Sequence, residues 1–470
     1  MALLVIAPVA AGAAIAAAGA EGSLSPRGWL EVELVALAVV CLAPMASLAA
    51  RGRFQAFDVL HVFLVFFLTL YVAKPAYQLF LAPTLVDIYR TGIRTDDAYL
   101  EAAVQGGLVA LASLAAFGAA FAWGAPRRLG ERLPAMNAYP NPARLSWIVG
   151  GLIVLAVGST AVFAARVGGI GWLLANMHAR KLTLLQQKDV VAGMELVKPA
   201  ILLWVAYRMS PRFFRSPLNW VLLIGSLGLL SLLGGRSHLL FILFTTACLW
   251  HWYGRPIRPW CIVGLGAAGV VGFLFFAMFR MYGRFGWDYV LGGIPGRSPL
   301  HALASFFSGY DGYLDMLTGC GSEVPYNWGK GYVAPFLSLL PTPIRPPHEL
   351  FLQSAELHTQ CFLGATDPTY TIYGVSLLGD LYAEFSFTGV VAGMFLLGAA
   401  TAFIRAWHLR HPQNRGVGLL YALAFPLMVI TVIQGVPGLL RELIRAGAPL
   451  ALALWALRRR QAAGSTAEAR

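Results

Sequence analysis

Long apolar runs separated by short basic interruptions dominate the chain. A membrane-spanning helix needs roughly 20 consecutive, mostly apolar residues. Runs of this kind fall near residues 2–20, 30–50, 57–82, 99–123, 145–165, 194–209, 217–235, 237–253, 260–279, 386–404, 416–434 and 446–457. The run at 194–209 is interrupted by Glu195, Lys198 and Pro199, and the one at 446–457 is short. The pattern predicts an all-α polytopic integral membrane protein with about 12 spans. Residues 282–385 are by far the longest piece without a span. The expected organisation is therefore N-terminal transmembrane helices over 1–281, a large loop over 282–385, C-terminal helices over 386–457 and a basic tail over 458–470. The first run ends in Ala18-Gly19-Ala20 but lacks the basic start of a signal peptide, so it reads as an anchor.

Composition agrees with a lipid solvent. The chain is 58% hydrophobic and only 12% charged, too little polar surface to cover a soluble domain of 470 residues. The net charge of +13 points to polyanions. Nucleic acid is excluded as a partner, because no basic run interleaves with a soluble fold. Basic loops on anionic lipid, or basic residues gathered on a phosphate, remain.

Position separates these two. With the N-terminus inside, the short inner loops hold Arg51 and Arg53, then Arg127, Arg128, Arg132 and Arg144, then Arg208, Arg212 and Arg215. Arg255 and Arg258, then Arg405, Arg410 and Arg415, and finally the tail arginines continue the alternation. Positive loops stay inside, so both termini are expected in the cytoplasm. The large loop is then outside, with 83–98, 166–193, the turn at 234–237 and 435–445.

Several arginines break the rule by falling at the outer face, where an Arg is costly unless paired or bound to something. Arg236 follows Gly234-Gly235 in a hairpin turn, with Ser237 placed to cap the next helix. Arginine, free amides and a helix start favour a phosphate. An Arg that caps the turn and snorkels to headgroups is the plainer alternative. Arg280 and Arg284 share a helix face if the helix continues, and Arg441 and Arg445 repeat that spacing, with Glu442 placed to neutralise Arg445. Arg180 lies in 168–188, which reads as an amphipathic helix on the outer surface.

The large loop holds two informative pieces. Arg345 sits in Pro343-Ile344-Arg345-Pro346-Pro347, stiffened so that binding an anion costs little entropy, and His348 and Glu349 follow as proton carriers. Asp380 and Glu384 are four apart near the outer boundary. A close carboxylate pair suits a general base, or else neutralises outer arginines. Residues 300–317 are apolar enough for a short interfacial helix. Cys320 and Cys361 lie in this loop, where a disulfide is allowed and free thiols are the alternative, whereas Cys41, Cys248 and Cys261 lie in apolar segments. No His/Cys cluster suggests a metal.

The order of several pieces resembles the O-antigen polymerase (Wzy-type) family of oligosaccharide repeat-unit polymerases. They are Gly168-Gly169, Asn176 and Arg180; Leu233-Gly234-Gly235-Arg236-Ser237; Pro343-Ile344-Arg345-Pro346-Pro347; and Gly379-Asp380-Leu381-Tyr382, Phe385 and Gly389. The resemblance implies a GT-C-like glycosyltransferase of the bacterial inner membrane. It would join undecaprenyl-diphosphate-linked oligosaccharides on the periplasmic face into O-antigen or exopolysaccharide. The lipid-linked oligosaccharide would be both donor and acceptor, with membrane lipid, a chain-length regulator and a flippase as further partners. Arg236 and Arg345, with Arg180 and Arg280 behind them and Arg284 and Arg441 in the same set, would hold the diphosphate. Asp380 or Glu384 would deprotonate the acceptor, with His348 in reserve. No cofactor or metal is implied. An O-antigen ligase, which uses the same donor, is the nearest alternative. A transporter or flippase of lipid-linked sugars, or an export scaffold, belongs to other classes.

Overall fold

A computed structural model describes residues 7, 8, 10, 25–51, 55, 57–80, 96–136, 141–169, 171–172, 192–232, 236–258, 261, 264, 307, 309–338, 340, 344–362 and 374–457. Helix dominates these residues and no strand is formed among them. In chain order the helices that matter here are α1 (Pro26–Ala50), α2 (Val59–Phe80), α3 (Asp96–Ala122), α4 (Pro142–Val167), α5 (Val197–Arg208) and α6 (Pro217–Leu232). They continue with α7 (Arg236–Leu249), α8 (Gly309–Gly319), α9 (Lys330–Leu337), α10 (Ser354–Cys361), α11 (Ser376–Arg410) and α12 (Arg415–Leu457). Six described helices, α1 to α4 with α11 and α12, are long and apolar enough to cross a membrane.

Local sequence sets several boundaries. Ser25 caps α1 by accepting from the Gly28 amide, with Pro26 in the first position. Asp58 caps α2 through the Leu60 amide. Gly168, at φ 99°, ends α4 in a left-handed turn that glycine takes without a Cβ penalty. On α4, Trp147 (81% exposed), Val154 and Leu155 point outward, as expected of a helix whose solvent is lipid.

Some expected boundaries move. α11 begins at Ser376 rather than 386, so Asp380 and Glu384 belong to a helix of 35 residues. The run expected at 446–457 is the end of α12, which extends over 43 residues, and the connection expected at 435–445 is itself helical. α12 is broken at Gly435 (φ 74°, ψ −171°). α7 starts at Arg236, so Ser237 lies inside its first turn rather than at the cap. The helix expected within 300–317 forms as α8 where it is described. Runs 2–20 and 260–279, and the surface helix expected over 168–188, lie almost wholly outside the described residues.

The chain forms two compact units, and each stands by itself here. The first comprises Met1–Arg132, Ser298–Ala406 and Leu427–Arg441. In its core Phe63 stacks on Phe117 at 4.1 Å, and Tyr71 meets Tyr313 edge-on at 5.7 Å. The Tyr313 hydroxyl donates to the Gly106 carbonyl (2.8 Å), tying α8 to α3. The Tyr71 hydroxyl donates to Ser376 Oγ (2.9 Å) and accepts from the Leu378 amide (3.1 Å), which anchors the start of α11.

The second unit comprises Leu133–Arg297, Trp407–Pro426 and Glu442–Arg470. Its centre is α5, only 12 residues long, with every residue from Val197 to Ala206 buried. Its charges are compensated internally. Lys198 Nζ lies 2.8 Å from Glu442 and 3.8 Å from Glu195, and Arg445 lies 3.1 Å from Glu195. Glu442 thus takes Lys198 and leaves Arg445 to Glu195, a pairing that sequence spacing could not supply. The His238 ring nitrogens stand 3.9 Å from Glu195 and 4.0 Å from Glu442.

Candidate active site

Asp380 and Glu384 lie one turn apart on α11, at 1% and 0% exposure. Both face the hydroxyl of Ser354, which is 2.6 Å from Asp380 Oδ1 and 3.2 Å from Glu384 Oε1. One hydroxyl hydrogen thus stands between two carboxyl groups. Ser354 opens α10, whose start is fixed by a capping box: the Gln353 amide donates to Glu356 Oε2 at 2.9 Å.

Two helix breaks supply the rest of the site. At Phe385 and Ser386 (φ 57°, ψ −159°) α11 leaves helical geometry, which frees carbonyls that would otherwise bond four residues on. The 327–329 loop takes them: the Asn327 amide donates to Ala383 O and the Trp328 amide to Glu384 O, each at 2.9 Å. The same loop holds the Glu384 side chain, through Asn327 Nδ2 (2.9 Å) and the Gly329 amide (2.8 Å). Gly331 has to be glycine here, since a Cβ would sit 2.2 Å from Glu384 Oε1. The second break, at Gly435 in α12, releases the Val436 amide to Asp380 Oδ2 at 2.9 Å. A Cβ at Gly435 would come within 2.6 Å of the Asp380 side chain.

The two carboxyls are not equivalent. Glu384 accepts from Asn327 and Gly329, Asp380 from Val436, and the single Ser354 hydrogen goes to one of them at a time, Asp380 being the nearer. A carboxylate offers about four acceptor positions, so Asp380 keeps more of them unspent. Tyr332 borders the pair, its buried hydroxyl directed at Asp380 without reaching full hydrogen-bond geometry. Burial, then the charges of Asp380 and Glu384, hold its phenol well above the usual range, so it stays a donor. A cationic group enters through Arg441, whose Nη2 donates to Gln353 Oε1 at 2.7 Å, next to Ser354.

The other expected residues fall elsewhere. Arg345 turns back on its own loop: Nη2 donates to the carbonyls of Ser338 (3.0 Å) and Leu340 (2.7 Å), while its buried Nε has no partner among the described residues. Arg236 occupies the first position of α7, and its side chain is outside the description. His348 opens a 3-10 turn, His348–Phe351, with its side chain likewise undescribed. Arg180, Arg280 and Arg284 lie outside the described residues. Cys320 is buried and Cys361 exposed, and both are free thiols.

Ser354, Asn327, Tyr332 and Val436 were not singled out by sequence, and Gly329 reads there only as a turn. The capping box that starts α10 uses Gln353 at the cap, outside the usual Ser, Thr, Asp or Asn, so no sign of it was legible in the sequence. A buried Asp315–His358 pair (2.7 Å) joins α8 to α10 and also went unforeseen. Among the described residues no group of three or more His, Cys, Asp or Glu side chains could hold a metal ion.

No family model, no curated protein and no solved structure matches the chain.

Proposed function

We propose that the chain is a polytopic membrane glycosyltransferase that polymerises undecaprenyl-diphosphate-linked oligosaccharide units on the periplasmic face of the bacterial inner membrane. In this reading it has about 12 spans in a GT-C-like arrangement, with both termini cytoplasmic. The observation that carries the reading is the buried Asp380–Ser354–Glu384 constellation, built where two apolar helices break. Acidic groups fully buried near the start of a membrane-type helix are costly, and function is the usual reason for keeping them.

The chemistry follows from the donors. Asp380 takes the proton of an acceptor hydroxyl. The acceptor oxygen bonds the anomeric carbon, the bond from that carbon to the diphosphate oxygen breaks, and its electron pair leaves with the lipid diphosphate. Arginines stabilise that departing charge. Arg441, tied to the Ser354 end of the site, is the best supported of them. Arg236 and Arg345, with Arg180, Arg280 and Arg284, enter through the sequence resemblance. Glu384, held by Asn327 and Gly329, fixes the loop around the base.

The test is direct. Purified protein is incubated with a lipid-diphosphate-linked repeat unit, and products are resolved by size. A ladder of multiples is expected, with release of the lipid diphosphate. Intact donor after prolonged incubation would remove the transferase reading. Transfer of a single unit onto a lipid A-core acceptor, without a ladder, would identify a ligase instead.

A further inference from the structure

Trp328 is the residue that the proposed chemistry leaves unused. It is 68% exposed, although its neighbours on both sides are committed to the site. Asn327 and Gly329 bind the Glu384 carboxyl, and Trp328 itself donates its amide to the Glu384 carbonyl. Its backbone is left-handed, with φ 54°. For a large side chain that conformation is unfavourable, and it persists only where the surroundings impose it. The imposed geometry turns the largest apolar side chain of the loop outward. Tyr326 and Phe385 meet the indole edge-on, at 6.0 and 6.5 Å between ring centres. They steady the ring without covering it.

An indole face is electron-rich, whereas the C–H face of a pyranose ring is weakly positive and apolar. The two stack, leaving the sugar hydroxyls free for polar partners. We propose that Trp328 is the stacking platform for a pyranose ring of the sugar substrate, set beside the carboxylate pair by the segment that clamps Glu384. This rests on the transferase reading and names a subsite within it. A tryptophan that merely anchored the protein among lipid headgroups would need no left-handed backbone and no direct bond to the residue bearing the carboxylate.

The experiment uses the full chain in lipid nanodiscs, with its 13 tryptophans replaced by 5-fluorotryptophan. The fluorine resonance missing from Trp328→Phe is that of Trp328. Methyl glycosides of glucose, galactose, mannose and N-acetylglucosamine are titrated, with glycerol as the non-stacking control. A saturable shift of this resonance with at least one glycoside, and none with glycerol, is expected. No shift with any glycoside overturns the proposal. So does broadening by brominated lipid without a sugar response, which marks an interfacial anchor. Trp328→Gly relieves the backbone strain while removing the platform. It should keep or raise the thermal midpoint and raise the KM for lipid-linked donor at least tenfold with little change in kcat, and an unchanged KM overturns the proposal. A glycoside shift without any ladder would fault the transferase reading alone. A ladder without a shift would fault the platform alone.

Discussion

Asp380 and Glu384 share a hydroxyl but differ in how many other donors they hold, so their amide variants should separate. On the proposed mechanism, Asp380→Asn removes the group that receives the acceptor proton. Transfer should fall by roughly a hundredfold to ten-thousandfold, about what a general base supplies, while the protein still extracts and runs as one species. An unchanged rate would exclude Asp380 as the base. Glu384→Gln replaces one of the two acceptor oxygens by NH2, which then faces either Asn327 Nδ2 or the Gly329 amide, donor against donor. Here the thermal midpoint should drop along with the activity, and a fully stable variant would show that the clamp holds little. The four-residue spacing that puts both acids on one helix face was legible in the sequence. Ser354 was not, because it reaches the pair from 26 residues upstream through tertiary packing alone. Arg345 shows the converse: a proline-stiffened arginine reads as an anion site, yet two carbonyls of its own loop occupy its Nη2.

Both helix breaks turn backbone groups into site components, and they differ in how visible they are. Gly435-Val436-Pro437-Gly438 carries glycine and proline, the ordinary punctuation of a helix, and the sequence reading placed a connection there. The break at Phe385-Ser386 carries no glycine or proline, and hydropathy marks it only as the start of the apolar run at 386. It is stabilised by the Asn327 and Trp328 amides, which only the fold brings to those carbonyls. Gly435→Ala tests the visible break. The substitution meets a left-handed φ and the Asp380 side chain together, so it should cost about 1–3 kcal/mol and shift the thermal midpoint down. A midpoint equal to that of the parent would mean that α12 can straighten there without disturbing Asp380. The apolar run at 194–209 looked weak because hydropathy counts Glu195 and Lys198 against it. In the fold those charges are paired inside protein, a cancellation invisible to a sliding window.

For the whole molecule, the order of spans and basic loops predicts which face each thiol occupies. Cys361 is exposed and belongs to the large loop, and Cys261 is exposed next to Arg255 and Arg258, the basic residues expected inside. On intact spheroplasts a membrane-impermeant maleimide should label Cys361, while Cys261 should react only after permeabilisation; the reverse order would invert the topology. Cys320 should stay unlabelled on both sides. Burial pushes its thiol up to about 12, so at neutral pH the reactive thiolate is scarce. The buried charges around α5 carry a consequence for how the chain is made. Lys198 finds Glu442 across 244 residues, and Glu195 finds Arg445 across 250. A ribosome delivers α5 long before either partner exists. During that interval Lys198 has only Glu195 of its own segment, 3.8 Å away in the folded chain, and its tighter 2.8 Å pairing with Glu442 must wait. The buried charge arrangement is therefore completed only when Glu442 and Arg445 arrive, and a chain truncated before Glu442 should expose α5, read as faster proteolysis there than in the full chain.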